Sequence, residues 1–428
     1  MFAGIKKAPY ICNREFELDF RRKFEVQLFV FIHFASFFLS RKHPINNDLP
    51  GACIKFGTMT ISISKTALLN KLQLLSKIIS SKPSLPILGN YLFETKEGRL
   101  FLTASNSEGR IMTSLKCISD EDMSVCVPTA ILDGLKTLPE QPLNIYINPN
   151  NKEILIKYSG GKFEFMGYET VSYPSKKEFD SSDCINTTAE EFYNGIAKVV
   201  NLAAEDELRP VMSTVLIEAS PKALTFVGTD GHGLGSFSCK KESCINKVSV
   251  IISRPMASIL KGIVPASPDD LQIKVGADWS VVTVNDFEIS FRNVEGRYPN
   301  WKAVIPHNNP LELVVDTKQL IGAIKRTTVF SNKSTCLILF KADYDRLVVS
   351  ANDLDFSTSA EEMLSAEFKD DEFKIGVKGS LILEMLSCID DERTKLTFSL
   401  PNSAILIMPE KQQEGQELTY LLMPMTIQ

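Results

Sequence analysis

Apolar residues recur along this chain in two alternating rhythms. Six stretches, at roughly 64–80, 128–138, 188–200, 253–264, 317–330 and 378–389, carry apolar positions three and four residues apart, which predicts helices with one buried face. Three of them open on a polar residue placed to cap the first turn: Ser64 ahead of Leu68, Leu69 and Leu72, Thr188 ahead of Phe192 and Ile196, and Asp316 ahead of Leu320, Ile321 and Ile324. Between the helices lie short alternating or β-branched runs, including 143–147, 154–158, 281–284 and 404–407, which predict strands. Turn signals at 96–98, 148–151 and 159–161 separate them.

The whole pattern comes three times. An apolar strand closing on Asn106 returns closing on Asp230 and again on Asp353, at spacings of 124 and 123 residues. A second landmark keeps step: strands run from Phe163 to Tyr173-Pro174, from Ile289 to Tyr298-Pro299 and from Tyr420 to Met423-Pro424, with successive prolines 125 residues apart. That period is far longer than a solenoid repeat and matches an ordinary domain. Each copy holds two helices among many strands, so the expected class is α+β, antiparallel sheet with helices on one face. The expected domains are 59–181, 182–309 and 310–428, with 1–58 as an extension outside the fold.

Charge changes this picture more than overall composition does. A formal net charge of −5 argues against a protein that grips nucleic acid over its whole surface. The helical stretches run the other way: Lys65, Lys71, Lys77, Lys136, Lys198, Arg254, Lys261, Lys318, Lys325, Arg326 and Lys378 face only Asp133, Glu190, Glu191 and Glu384. One-sided helices with a positive excess, repeated along a chain, suggest a surface that faces a polyanion; lysines also simply favour solvated helix faces. Nine cysteines without a CxxC pair and only four histidines offer no zinc quartet, so the thiols read as reduced and no cofactor is expected.

The first 58 residues differ from the rest. They hold ten of the 26 phenylalanines, and their apolar run at 26–39 is interrupted by His33 and falls short of the roughly 20 residues that span a bilayer. Arg21-Arg22-Lys23 precedes that run, but no small-residue cleavage site follows it. Since the first repeat begins cleanly at Met59, the favoured reading is a start assigned too far upstream, against a genuine anchor or targeting segment; no membrane association is expected.

Four segments point to a family when taken together and in order: 83–90 (Pro-Ser-Leu-Pro-Ile-Leu-Gly-Asn), Thr229-Asp230-Gly231-His232, Gly296-Arg297-Tyr298-Pro299 and the terminal Tyr420-Leu421-Leu422-Met423-Pro424-Met425. From Met59 onward the chain resembles the bacterial DNA polymerase III beta subunit, the beta sliding clamp. The resemblance implies three like domains per subunit, paired head to tail in a homodimer ring, with helices lining the hole and sheets outside. It implies a non-catalytic cytoplasmic processivity factor that encircles duplex DNA. Its partners would be a clamp loader, the polymerase III alpha subunit, and other polymerases or repair proteins carrying short peptide motifs.

Carried over residue by residue, the resemblance marks Lys82 and Arg254 for DNA contact; Lys77 and Lys198 join them on helix charge alone. The segment 127–131, often basic in the family, has no basic residue here. A partner-peptide pocket between the second and third domains would use Arg209, Met212, Thr229, His232 and Leu234. Its other wall would come from Pro299, Val304 and the terminal Leu421, Leu422, Met423, Pro424 and Met425, soft apolar residues suited to docking varied peptides. Gly233 stands where the family usually has a basic residue, which puts a polar pocket wall in question. Phe163 and the pair Val329-Phe330 match family dimer-contact positions.

Two other classes compete with this reading. A nucleotide- or DNA-processing enzyme would use the recurring carboxylates Asp230, Asp353 and Asp355, but they lack neighbours at metal-ligand or acid/base spacing. A repeat-built scaffold would draw on the apolar N-terminal run.

Overall fold

The computed structural model describes residues 59–178, 183–206 and 208–427. The sequence reading of residues 1–58 therefore lies outside the described residues. Each predicted helical stretch contains a helix: α1 (Lys65–Leu75), α2 (Ala130–Thr137), α3 (Ala189–Val199), α4 (Arg254–Ile263), α5 (Thr317–Thr328) and α6 (Gly379–Leu386). The predicted caps form. The Ser64 hydroxyl accepts from the Ala67 amide, and an Asp316 carboxylate oxygen accepts from the Gln319 amide. Thr188 makes a full capping box, its hydroxyl accepting from the Glu191 amide at 3.2 Å while the Glu191 carboxylate accepts from the Thr188 amide at 3.1 Å.

Every module is built from two halves of one plan, a strand, a helix and a three-strand meander, and the halves exchange their first strands. In the middle module, Asp183–Thr188 joins the later meander (Asp270–Val275, Trp279–Val284, Phe287–Arg292), while Val248–Ser253 joins the earlier one (Thr214–Ala219, Leu224–Thr229, Gly233–Cys239). The other modules repeat this arrangement. The exchange ties each half to the other through backbone hydrogen bonds, so neither half can bury its sheet alone. The two helices of a module lie side by side against the sheets. Their apolar stripes, such as Leu68, Leu72 and Leu75 on α1 or Phe192, Ile196 and Val199 on α3, enter one continuous core.

The sheets do not stop at module boundaries. Gly109–Lys116 of the first module pairs antiparallel with Phe287–Arg292 of the middle one, with Ile111 opposite Ile289. Gly233–Cys239 of the middle module pairs in the same way with the chain's last strand, Gln416–Leu422, with Leu234 opposite Leu421. Among the described residues, the strand edges in line with these seams at the far ends of the first and last modules have no such partner within the chain. They are Gly161–Met166, which ends the first module's five-stranded sheet, and the Thr358–Ser365 part of strand Thr358–Glu367. Among the described residues no helix is long and apolar enough to cross a membrane.

Candidate functional site: cationic helices, a seam groove and two open edges

Ion pairing sorts the helical cations into two sets. Lys71 meets Asp286 at 2.6 Å, Lys136 meets Asp133, and Arg326 meets Glu362. Lys198, whose side chain is only 12% exposed, meets Asp390 at 2.7 Å and also donates to the Cys388 carbonyl, tying α3 to the last module. Lys77 donates to the Gly262 carbonyl at the end of α4, so it bridges the first two modules. Arg254, at the start of α4, divides its guanidinium between the Ala203 carbonyl and the exposed Glu205. Lys82 is exposed in the loop after α1 and, like Lys261, Lys318, Lys325 and Lys378, has no ion pair among the described residues. Helix charge alone does not separate these unpaired lysines from the paired ones.

The second seam carries an apolar cluster on the sheet face turned away from the helices. Leu216, Val227, Leu234, Tyr298, Leu406 and Leu421 form an apolar cluster separate from the main core, with Val211, Trp301 and Ile305 packed at its border. The Tyr298 hydroxyl donates to the Val227 carbonyl, and burial pushes its pKa upward. The tail is clamped on both sides of Pro424: the Met423 amide donates to the His232 carbonyl and the Met425 amide to the Gly376 carbonyl, each at 2.8 Å. Val304, next to Ile305 of this cluster, and Met423, two residues past Leu421, remain 56% and 44% exposed.

Arg209 and Met212 border the same loop. A Cβ on Gly231, which sits at φ 90°, would lie 3.5 Å from Met212 and 3.7 Å from an Arg209 nitrogen, so the glycine leaves this corner open. Arg209 also donates to Asp206 at 2.7 Å, and that bond holds the Asp206 carboxyl below its usual range. Pro299 is exposed on the loop that follows Tyr298. Two residues land differently from expectation. Leu422 faces the main core under the helices, because strand alternation turns it away from Leu421. Gly233 lies opposite Leu422, and a Cβ there would stand 2.7 Å from Met385, so this position abuts α6 and supplies no groove wall. Thr229 is buried, with its hydroxyl spent on the Gly233 carbonyl.

The open edges carry the remaining residues. Phe163 lies on the edge strand Gly161–Met166, half-buried against Tyr158 and beside Gly134 of α2. Val329 and Phe330 follow α5 and are 74% and 43% exposed; the Phe330 carbonyl accepts from the Thr358 hydroxyl at the other open edge.

Three family models match this architecture in succession: the DNA polymerase III beta subunit N-terminal domain over residues 59–176, its central domain over 186–300 and its C-terminal domain over 302–426. The chain belongs to the DNA polymerase III beta subunit family. It is 25% identical over 374 residues to the beta sliding clamp of Pseudomonas putida, covering 86% of this chain and all of that one. To the beta sliding clamp of Escherichia coli K12 it is 24% identical over 371 residues, with the same coverage. Among solved structures, the sliding clamp of Pseudomonas aeruginosa matches at TM-score 0.79 and 24% identity. The Thermotoga maritima beta subunit matches at 0.79 and 20%. Each alignment covers 86% of this chain and all of the other, and these two likenesses carry the fold.

As a beta subunit, the protein is a sliding clamp and processivity factor without catalysis of its own. The recurring acids fit that role. Asn106 Oδ1 accepts from the Glu108 and Gly109 amides, Asp230 from His232 and Gly233, and Asp353 from Asp355 and Phe356. One short side chain thus fastens the same hairpin turn in all three modules. Asp355 accepts from Asn332. Asp230 and Asp353 are therefore turn fasteners, and Asp355 anchors the Asn332 side chain.

Proposed function

We infer that two chains close head to tail into a ring around duplex DNA, and that the third kind of seam, between subunits, copies the two within the chain. The observation that carries this is the match between the open edges and the closed seams. Phe165, Phe291 and Leu422 hold the same place at the end of their sheets, opposite Ile154, Ser280 and Ile405. Gly109 and Gly233 pair with Phe291 and Leu422, and Thr358 takes their place in the last module. Transferring that register sets Phe165 against the partner subunit's Thr358, Phe163 against the partner's Ala360, and Lys162 against the partner's Glu361. Unlike charges then face each other on adjacent strands.

Within the ring, Lys82, Lys261, Lys318, Lys325 and Lys378, with Arg254 and Lys77 beside them, would supply a cationic lining, while Asp390 neutralises Lys198. Lysine ammonium groups are hydrated point charges that pass from phosphate to phosphate without reading bases, which suits sliding. Retention would come from topology and not from tight contact. The groove between the middle and last modules would take short apolar peptides of the polymerase, the clamp loader and other replication or repair proteins in the cytoplasm. Tethering raises the polymerase's local concentration at the primer end.

Sedimentation equilibrium of the purified chain tests the ring's stoichiometry. A particle of two 47.8 kDa chains is expected; a monomer at every accessible concentration would overturn the proposal.

A further inference from the structure

The hairpin turn at the last module's open edge departs from its two counterparts. Counted from the equivalent residues Asn106, Asp230 and Asp353, the first two turns are short, the Asn106 amide donating to the Gly109 carbonyl and the Asp230 amide to the Gly233 carbonyl across two residues; in the last module Asp353 pairs with Thr358 across four. The shorter turns present Ser107-Glu108 and Gly231-His232, whereas the longer one presents Leu354 at 83% and Phe356 at 74% exposure. Asp353 fastens the turn and Asn332 holds Asp355, so these apolar side chains sit on a fixed support. Fixed, exposed leucine and phenylalanine next to an unpaired strand edge call for a cover.

The closed seams say what reaches that turn. In each, the amide one residue past the seam's sheet-end position donates to the turn's last carbonyl: Arg292 to Glu108, and Met423 to His232, both at 2.8 Å. The same geometry at the third seam brings the partner's Met166 amide to the Ser357 carbonyl. Met166, Tyr168 and Val171 are 58%, 53% and 90% exposed, a second apolar strip on the complementary edge. Tyr168 is held by two backbone hydrogen bonds to Cys126, so this strip is also fixed.

We propose that the Leu354–Phe356 turn is an apolar clasp that grips the partner subunit's Met166–Val171 strip and adds hold to the ring beyond strand pairing. This rests on the ring reading. The two edges are the only complementary pair of open strands that the seam geometry joins among the described residues, so the occupant is a second copy of this chain.

The test is the dimer dissociation constant of the full chain with Leu354→Ser and Phe356→Ser together, measured by sedimentation against wild type. Burial of two large apolar side chains at each of two interfaces predicts a rise of about tenfold or more, with the melting temperature of the dilute monomer unchanged because both residues are exposed there. Hydrogen exchange should slow at 354–357 and at 166–171 when the concentration is raised through dimerisation. A wild type that never dimerises overturns the ring and the clasp together. A dimer whose dissociation constant ignores the substitutions overturns the clasp and leaves the ring standing. Loss of polymerase stimulation with an unchanged dimer would also overturn it, assigning the turn to another protein.

Discussion

Ile78 and Phe330 occupy one position of the repeat, each fourteen residues beyond its helix cap, Ser64 or Asp316, yet Ile78 is 2% exposed and Phe330 is 43% exposed. Leu202, the third member of the set, fourteen residues beyond Thr188, is also 2% exposed. The turn bearing Ile78 packs on α4 of the next module and the turn bearing Leu202 packs on α6. Phe330 has no next module within the chain. On the proposed ring reading, the partner subunit would cover Phe330 as the next module covers Ile78 and Leu202.

Replacing Phe330 by Ser should weaken the dimer and spare the monomer. Fully burying a phenylalanine stabilises by about 1.5–3 kcal/mol; Phe330 is 43% exposed, so less than half of that remains to be gained at each of two sites, and the dissociation constant should rise about tenfold or more. Leu202→Ser, by contrast, should lower the melting temperature of the single chain. Sedimentation and thermal unfolding of both variants separate the two effects.

The inter-subunit register predicts a charge swap. In the single chain Lys162 turns to Glu164 at 2.6 Å, both well exposed. Lys162→Glu should place like charges across the seam and weaken the dimer by several-fold at low salt, roughly the size expected of a cross-strand pair at two interfaces. Lys162→Glu combined with Glu361→Lys should recover most of the loss. Failure of the second change to rescue the first would shift the register.

The first seam should soften in acid. Burial raises the Asp286 pKa, but hydrogen bonds from Lys71 and Thr113 outweigh it and hold the carboxyl below the usual range. A pKa lower in the folded chain than its unfolded value of about 3.9 stabilises the fold above that value, and the gain is lost as pH falls through the folded pKa. Asp286→Asn should therefore melt below wild type at neutral pH, with the two curves converging as the pH falls through the lowered folded-state pKa. A gap that stays constant across that range would show that the carboxylate's charge contributes nothing.

Met423→Asp should abolish peptide docking without opening the ring. Its backbone amide is held by the His232 carbonyl while its side chain stays exposed. Polymerase stimulation should fall by about tenfold or more, as expected when a charge enters an apolar docking surface. Dimer mass should be unchanged. Val304→Asp should act in the same direction.

The helices and their caps were legible because each signal is local: Ser64, Thr188 and Asp316 cap the residues that follow them directly. Triplication was legible from the strands ending on Asn106, Asp230 and Asp353. The half-module exchange was not, since the pairing of Asp183–Thr188 with Asp270–Val275 is a long-range choice that leaves no mark on either strand. The site shows the same division. Leu234 and Leu421 stand out in their motifs and lie opposite each other across the second seam. The inward turn of Leu422, the neutralisation of Lys198 by Asp390 and the idle position of Gly233 depend on which strand lies opposite, and the loose cations Lys318 and Lys325 emerge only once their neighbours are paired off.

The central claim is that DNA is held by being threaded. The clamp loaded on a closed circular duplex and washed at about 1 M salt, where charges are screened within about 3 Å, should stay bound until the circle is cut, and then slide off. Equal loss from circular and linear DNA would contradict the account.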